Sequence, residues 1–259
     1  MRHFKVGVSL QPMHASLDDL RRAWREADSM GLDSIWTWDH FFPLQGNPNG
    51  NHFEGVSLLS AMAVETQQAT VGLMVACATY RNPDLYAHAV VTADHLSGGR
   101  AVLGIGAGWF ERDFVEYGYE FGTPGDRLRR LEHDLGRIKA RLEKLHPRPI
   151  GRLPICIGGG GEKFTLRLVA QYADMWNAFG PASNYRRKLK VLDSWCEKVG
   201  REPGEIERSA NMRLPDLDAV RSMVDAGCQH LIVSTPPPYD LSVAQRVLEL
   251  AESGAGLQA

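Results

Sequence analysis

Eight times in succession the chain sets a short β-prone run before a longer stretch whose apolar residues recur at steps of three and four. "FKVGVSL" (4–10) opens the series, and Ser16 then begins an S-x-x-D capping pattern with Asp19. Leu20, Ala23, Trp24, Ala27 and Met30 follow at helical spacing, with Gly31 as a stop. "DSIWTWD" precedes a helix near 55–68, "TVGLMVA" one from Pro83 to Leu96, and "AVLGIGA" one carrying Leu128, Leu131, Leu135, Ile138, Leu142 and Leu145. "LPICIG" leads to a helix ending near Tyr172, and "DMWNAF" to one with Tyr185, Leu189, Leu192, Cys196 and Val199, closed by Gly200. "IERSANM" precedes a helix over 216–226 and "QHLIVST" one around 241–252. Unbroken β-then-α alternation implies a parallel sheet with crossover helices, and eight units in 259 residues is the count of a (β/α)8 barrel. An open doubly wound sheet is the other candidate, but it seldom needs eight regular units. No linker or low-complexity segment divides the chain, so one barrel domain over 1–259 is expected.

Composition then excludes whole classes. A net charge of −2 argues against nucleic acid or an anionic membrane as partner. No run approaches a signal peptide or a membrane span, which points to the cytoplasm. The cysteines Cys77, Cys156, Cys196 and Cys228 are widely spaced, and the histidines show no ligand pattern, so neither disulfides nor a metal is expected.

In a barrel, chemistry belongs at the carboxyl ends of the strands. Those ends hold Gln11, Asp39 and His40, Met74 to Thr79, Gly106-Ala107-Gly108-Trp109, the glycine run 158–161, and Asn177. The four glycines of "PICIGGGGEKF" lie between a strand and a helix, where freed N–H groups and the helix dipole favour an anion. The P-loop pattern fails because Glu162 precedes Lys163, and G-x-G-x-x-G fails here and at Gly104-Ile105-Gly106. A barrel phosphate site remains, set against a passive turn. "WTWDHFF" places an acid beside a base, although adjacent strand residues face opposite sides unless the backbone turns. Its aromatic residues are either barrel filling or walls for a planar ring.

The ordered set "WTWDH", "VGLMVACATYRNPDL", "DHLSGGRAVLGIGAGWFERDFVEYG", "GDRLRRLE" and "PICIGGGGEKFTLRLVAQYADMWN" resembles the bacterial luciferase-like flavin and deazaflavin oxidoreductases, closest to their actinobacterial branch that uses coenzyme F-420. The resemblance covers about residues 4–200; the remainder matches in layout only. It implies a barrel holding F-420, or alternatively FMN, at its carboxyl mouth. It implies a ring near Asp39 and His40, with His40 as the proton-transfer residue. A bulged third strand at Met74, Val75 and Ala76, with a non-prolyl cis peptide near Met74–Val75, would support that ring. Gly106, Ala107 and Gly108 would pass close to it, Asn177 would join the site, and backbone at Gly159, Gly160 and Gly161 would take a phosphate. An acidic cofactor tail would favour cations at the rim, for which Arg81, Arg112 and Lys163 are the candidates. Two departures stand out: Ala76 and Cys77 occupy positions where relatives carry Thr or Ser, and only "HPRPIGR" separates Leu145 from Leu153, where relatives carry a longer substrate-covering segment. Either the mouth stays open or a partner closes it, and a homodimer is compatible with that. Three readings follow: an F-420-dependent oxidoreductase acting on a small organic substrate, an FMN monooxygenase served by a separate reductase, and a cofactor-binding barrel without catalysis.

Overall fold

The computed structural model describes residues 2–257. Its elements run β1 (Lys5–Leu10), α1 (Leu17–Ser29), β2 (Ser34–Thr37), α2 (Gly55–Glu65), β3 (Thr70–Leu73), β4 (Ala76–Cys77), α3 (Pro83–Ser97) and β5 (Ala101–Gly106). They continue with α4 (Glu111–Glu116), α5 (Pro124–Leu142), β6 (Ile155–Gly158), α6 (Thr165–Tyr172), β7 (Met175–Phe179) and α7 (Ala182–Val199). The chain closes with β8 (Glu207–Arg213), α8 (Leu217–Asp225), β9 (His230–Thr235) and α9 (Ser242–Ser253). All strand pairs are parallel, in the order β3-β2-β1-β9-β8-β7-β6-β5-β4, and β3 also pairs with β5. The sheet therefore closes. Since β3 and β4 are two halves of one strand broken at Met74–Val75, whose peptide is cis, the structure is an eight-stranded (β/α)8 barrel.

Local signals set most boundaries. Ser16 caps α1 by accepting from the amide of Asp19, and Asn82 caps α3 in front of Pro83. Thr123 and Asp126 form a reciprocal capping box on α5. Gly98 and Gly200 end their helices in the left-handed conformation. Three expectations need correction. The second strand stops at Thr37 rather than at residue 39, because the chain turns out of the sheet there and frees both Asp39 and His40 from strand alternation. The fourth helical segment is two helices, α4 and α5, and α5 ends at Leu142, so Leu145 packs from the following turn. The second helix ends at Glu65.

Two apolar assemblies hold the barrel. The larger lies between strands and helices, built from Val6, Val8, Ile35, Val71, Leu103, Ile157 and Leu231 against the inner helix faces. The smaller plugs the barrel itself and comprises Trp36, Val102, Cys156, Met175 and Ile232, capped by Met74 and Val75. Trp36 fits because Gly72 has no side chain; a Cβ there would lie 2.8 Å from the indole Cε3. The plug divides the lumen into two ends. Among the described residues no helix is long and apolar enough to cross a membrane.

Candidate active site at the barrel mouth

Each end of the barrel carries a cavity. The one at the amino ends, about 650 Å³, is bordered by charges that already have partners: Lys5 with Glu207, Glu207 with His230, and Arg152 with Asp174. His230 also reaches the Ser34 hydroxyl at 2.8 Å, and Ser34 is fully buried. That closed network binds strands together, as expected of the stability end of this fold. The cavity at the carboxyl ends, about 490 Å³, receives the residues on which chemistry can rest.

Asp39 and His40 both line it, along with Met74, Val75 and Ala76 from the broken strand. Gly106, Ala107 and Gly108 border it after β5, and Gly159 and Asn177 border it from β6 and β7. Gly160 and Gly161 sit just outside, in an adjoining depression of about 580 Å³ at the same barrel end.

The two members of the acid–base pair have separate fates. Asp39 is 2% exposed, and both its oxygens are engaged by Arg81, at 2.6 and 2.8 Å. Its Oδ2 also accepts from the Cys77 amide, and Arg81 extends to Glu54. Burial opposes the Arg81 charge, but the hydrogen bonds and charge of Asp39, with those of Glu54, outweigh it and raise the guanidinium pKa. Asp39 is thus a fixed carboxylate that pins β4 to the turn after β2.

The carboxylate that pairs with His40 is Asp113, from α4. Its Oδ2 lies 2.6 Å from His40 Nδ1 and accepts the Tyr80 hydroxyl at 3.0 Å, while Oδ1 accepts the amides of Phe41 and Phe42. Three fixed donors, the Tyr80 hydroxyl and two amides, converge on this fully buried carboxylate, and an acceptor-only partner selects the Nδ1–H form of the ring. His40 Nδ1 therefore carries the proton it donates, and Nε2 has no partner among the described residues. Edges of Trp38, Trp109 and Phe110 hold the ring in place. Burial, and then the Asp113 charge among its neighbours, raises the Tyr80 hydroxyl far above its ordinary pKa and keeps it a donor. Burial likewise pushes the Cys77 thiol up to about 12, so it is not a nucleophile.

The glycine loop also differs in detail from its expectation. The Gly159 amide is spent on the Asn177 carbonyl at 3.0 Å, and the Gly159 carbonyl accepts the Trp176 indole N–H. Gly159 instead supplies a turn with φ of +119° that few side chains tolerate. Three expected amide donors narrow to two, Gly160 and Gly161, which find no acceptor among the described residues. A Cβ at Gly160 would collide with the Lys188 ammonium, which therefore hangs directly over the loop. Of the expected rim cations, Arg81 is consumed by Asp39, and Arg112 is consumed by Glu116 and by stacking over Phe42. Lys163 and Lys188 have no ion-pair partner among the described residues.

Asp113, Tyr80 and Lys188 are among the side chains at this barrel end that the sequence reading did not single out. Asp113 does carry a local signal: a carboxylate on the buried side of a short helix rich in aromatic neighbours, "WFERDFVEYG". Lys188 carries none, because a lysine on an amphipathic helix reads as solvated.

Comparison with known proteins agrees with this fold. Residues 2–218 match the family model described as luciferase-like monooxygenase. The F-420-dependent glucose-6-phosphate dehydrogenase of Amycolatopsis mediterranei is 28% identical over 186 residues, covering 65% of this chain and 54% of that protein. The chain thus spans little more than half the length of that relative. An F-420-dependent secondary alcohol dehydrogenase, solved with an F-420–acetone adduct, superposes with a TM-score of 0.84 at 15% identity, over 97% of this chain and 98% of that one. The oxygenating constituent of 3,6-diketocamphane monooxygenase from Pseudomonas putida, solved with FMN, gives 0.67 at 16% identity, over 82% and 67%. At such identities the structures share a fold. The sequence match spans most of the chain, and this barrel is a member of the luciferase-like monooxygenase family.

Proposed function

We propose that the protein is an oxidoreductase that moves hydride between coenzyme F-420 and a small organic substrate. The observation that carries this reading is the His40–Asp113 pair, with His40 lining the mouth cavity that Gly106, Gly108 and Gly159 also border. The residues present fit such a cofactor. Gly106 and Gly108 lack the Cβ atoms that would displace Val75 and Cys77, so the broken strand packs closely on the end of β5 where both border the cavity. The free amides of Gly160 and Gly161, beneath the Lys188 ammonium, suit a phosphate.

Bound there, F-420 supplies a ring carbon that accepts or donates hydride. The chain's own work is orientation and proton handling. Asp113 fixes the His40 tautomer, so that Nε2 is free to take a proton from a substrate hydroxyl or return it to a carbonyl oxygen. Trp38 and Trp109 pack on the imidazole and hold its orientation. Asp39, locked by Arg81, holds the Cys77 amide and hence the bulged strand in register.

Titration with F-420 and with FMN, followed by absorbance, tests the reading. Saturable perturbation of the F-420 band at micromolar protein supports it. Preference for FMN moves the protein to the monooxygenase reading, and binding of neither overturns both.

A further inference from the structure

Strand β8 lies four strands from the broken β3/β4 strand in either direction round the barrel, diametrically opposite the bulge. Its alternate residues form a polar column: Glu207 at the amino end, then Ser209, Asn211 and, exposed at the mouth, Arg213. Glu207 and Ser209 are fully engaged, with His230 and Lys5 and with Asn177 and the Trp176 carbonyl. The upper two are not. Asn211 makes one long contact, 3.9 Å from its amide nitrogen to the Met74 sulfur. Arg213 touches only the Gln45 amide oxygen, at 3.1 Å, and has no carboxylate within ion-pair distance among the described residues. Its register partner on β9 is Ser234, 7% exposed, whose oxygen accepts from Gln11 and whose proton has no acceptor. All three side chains line the mouth cavity.

Arg213 and Ser234 have only donors unspent, a guanidinium and a hydroxyl proton, while the Asn211 carboxamide can turn its N–H to the cavity and the Gln11 oxygen beside Ser234 is a buried acceptor without a partner among the described residues. Asp39 is held by Arg81, and Asp113 is buried beneath His40 with the Tyr80 hydroxyl and two amides on it, so Arg213 is a mouth-lining cation with no carboxylate partner among the described residues. An unpaired guanidinium beside a free hydroxyl proton favours a ligand group that accepts hydrogen bonds and carries negative charge. We propose that Arg213, with Ser234 and Asn211, is the specificity site for the substrate's carboxylate or phosphate group, and that the substrates are small anionic alcohols or their carbonyl partners. This rests on the oxidoreductase reading for its placement opposite the cofactor wall, and it gives that reading a substrate class.

The probes are glycolate, glycerol 3-phosphate and neutral 2-propanol, titrated into F-420-loaded protein by cofactor fluorescence and into unloaded protein by calorimetry. Both anions are expected to bind more tightly than 2-propanol, with the better one identifying carboxylate or phosphate. Arg213→Met should weaken anion binding by about tenfold or more, Arg213→Lys should restore most of it, and neither should change F-420 affinity by more than about twofold. Equal anion affinity in Arg213→Met, or tighter binding of 2-propanol than of either anion, overturns the proposal. Loss of F-420 affinity in Arg213→Met also overturns it, by assigning the arginine to the cofactor. Should wild type bind no cofactor, the oxidoreductase reading fails separately, and the unloaded titrations still decide the anion site.

Discussion

His40 Nδ1 and Asp113 Oδ2 lie 2.6 Å apart across 73 residues of chain, and that contact decides which imidazole nitrogen faces the cavity. Asp113→Asn replaces an acceptor with an amide that can present N–H to the ring, so Nδ1 becomes the acceptor and Nε2 takes the proton. We expect kcat with any accepted substrate to fall about 10²-fold or more, the scale of one mispositioned acid–base group, with cofactor affinity nearly unchanged. Imidazole nitrogen shifts in the resting protein should report the exchanged tautomer. An unaltered tautomer would remove Asp113 from the positioning role. His40→Ala should cost about 10²–10⁴-fold in turnover while retaining the cofactor, and equal turnover would reject His40.

Arg81 and Asp39 make a different kind of pair. Here one partner is buried and both carboxylate oxygens are held, so removing the cation strands a charge. Arg81→Ala should destabilise the fold by about 3–5 kcal/mol. The double variant Arg81→Ala/Asp39→Asn should recover part of that loss, because no ionised group is then left unpaired. Chemical denaturation measures both, and a double variant no more stable than the single one would show that the pair acts through packing alone.

The barrel was legible because short β-prone runs, buried here on both faces, alternate with longer stretches whose period-three-and-four pattern buries one helix face. Strand ends were legible as a class for the same reason. What the sequence could not yield is pairing. Asp39 and His40 are neighbours in sequence, yet the turn after Thr37 sends one to Arg81 and the other to Asp113. The cis peptide at Met74–Val75 agrees with the family resemblance, whereas no rule of propensity would have placed it. Arg81 looked like a rim cation because an arginine's partner is set by tertiary approach. Gly159 looked like one more anion donor, but its amide lies in ladder register with Asn177, and only β6–β7 pairing reveals that.

At the opposite barrel end the pH response should be acidic. Burial would raise the Glu207 carboxyl, but the hydrogen bond and charge of His230, followed by those of Lys5, outweigh it and lower its pKa from 4.5 to about 2. The unfolded chain therefore takes up this proton at a higher pH than the folded one. The stabilisation is complete above about pH 4.5 and is lost as pH falls from there to about 2. Melting temperature should drop steeply over that interval in wild type and less steeply in Glu207→Gln, which should also melt lower at pH 7. Parallel slopes for the two proteins would exclude Glu207 as the source.

Two adjacent glycines separate folding from binding. Gly159 has φ of +119°, with its amide and carbonyl both bonded to β7, so Gly159→Ala forces an L side chain into a region it rarely adopts. The cost should fall on stability, about 1–3 kcal/mol, before any ligand is considered. Gly160 has no positive φ, and the one obstacle to a side chain there is the end of Lys188, a flexible group able to swing away. Gly160→Val should therefore fold with nearly wild-type melting temperature. Yet it both covers the free amides and displaces the ammonium above them, so cofactor affinity should fall by at least about 1–2 kcal/mol, one or two charge-assisted hydrogen bonds. Lys188→Met should produce part of the same loss without touching the backbone. Titrating F-420 and FMN into all three variants, with thermal melts alongside, separates the effects. If Gly160→Val binds whichever cofactor the wild type accepts with undiminished affinity, the loop is a turn and the phosphate lies elsewhere.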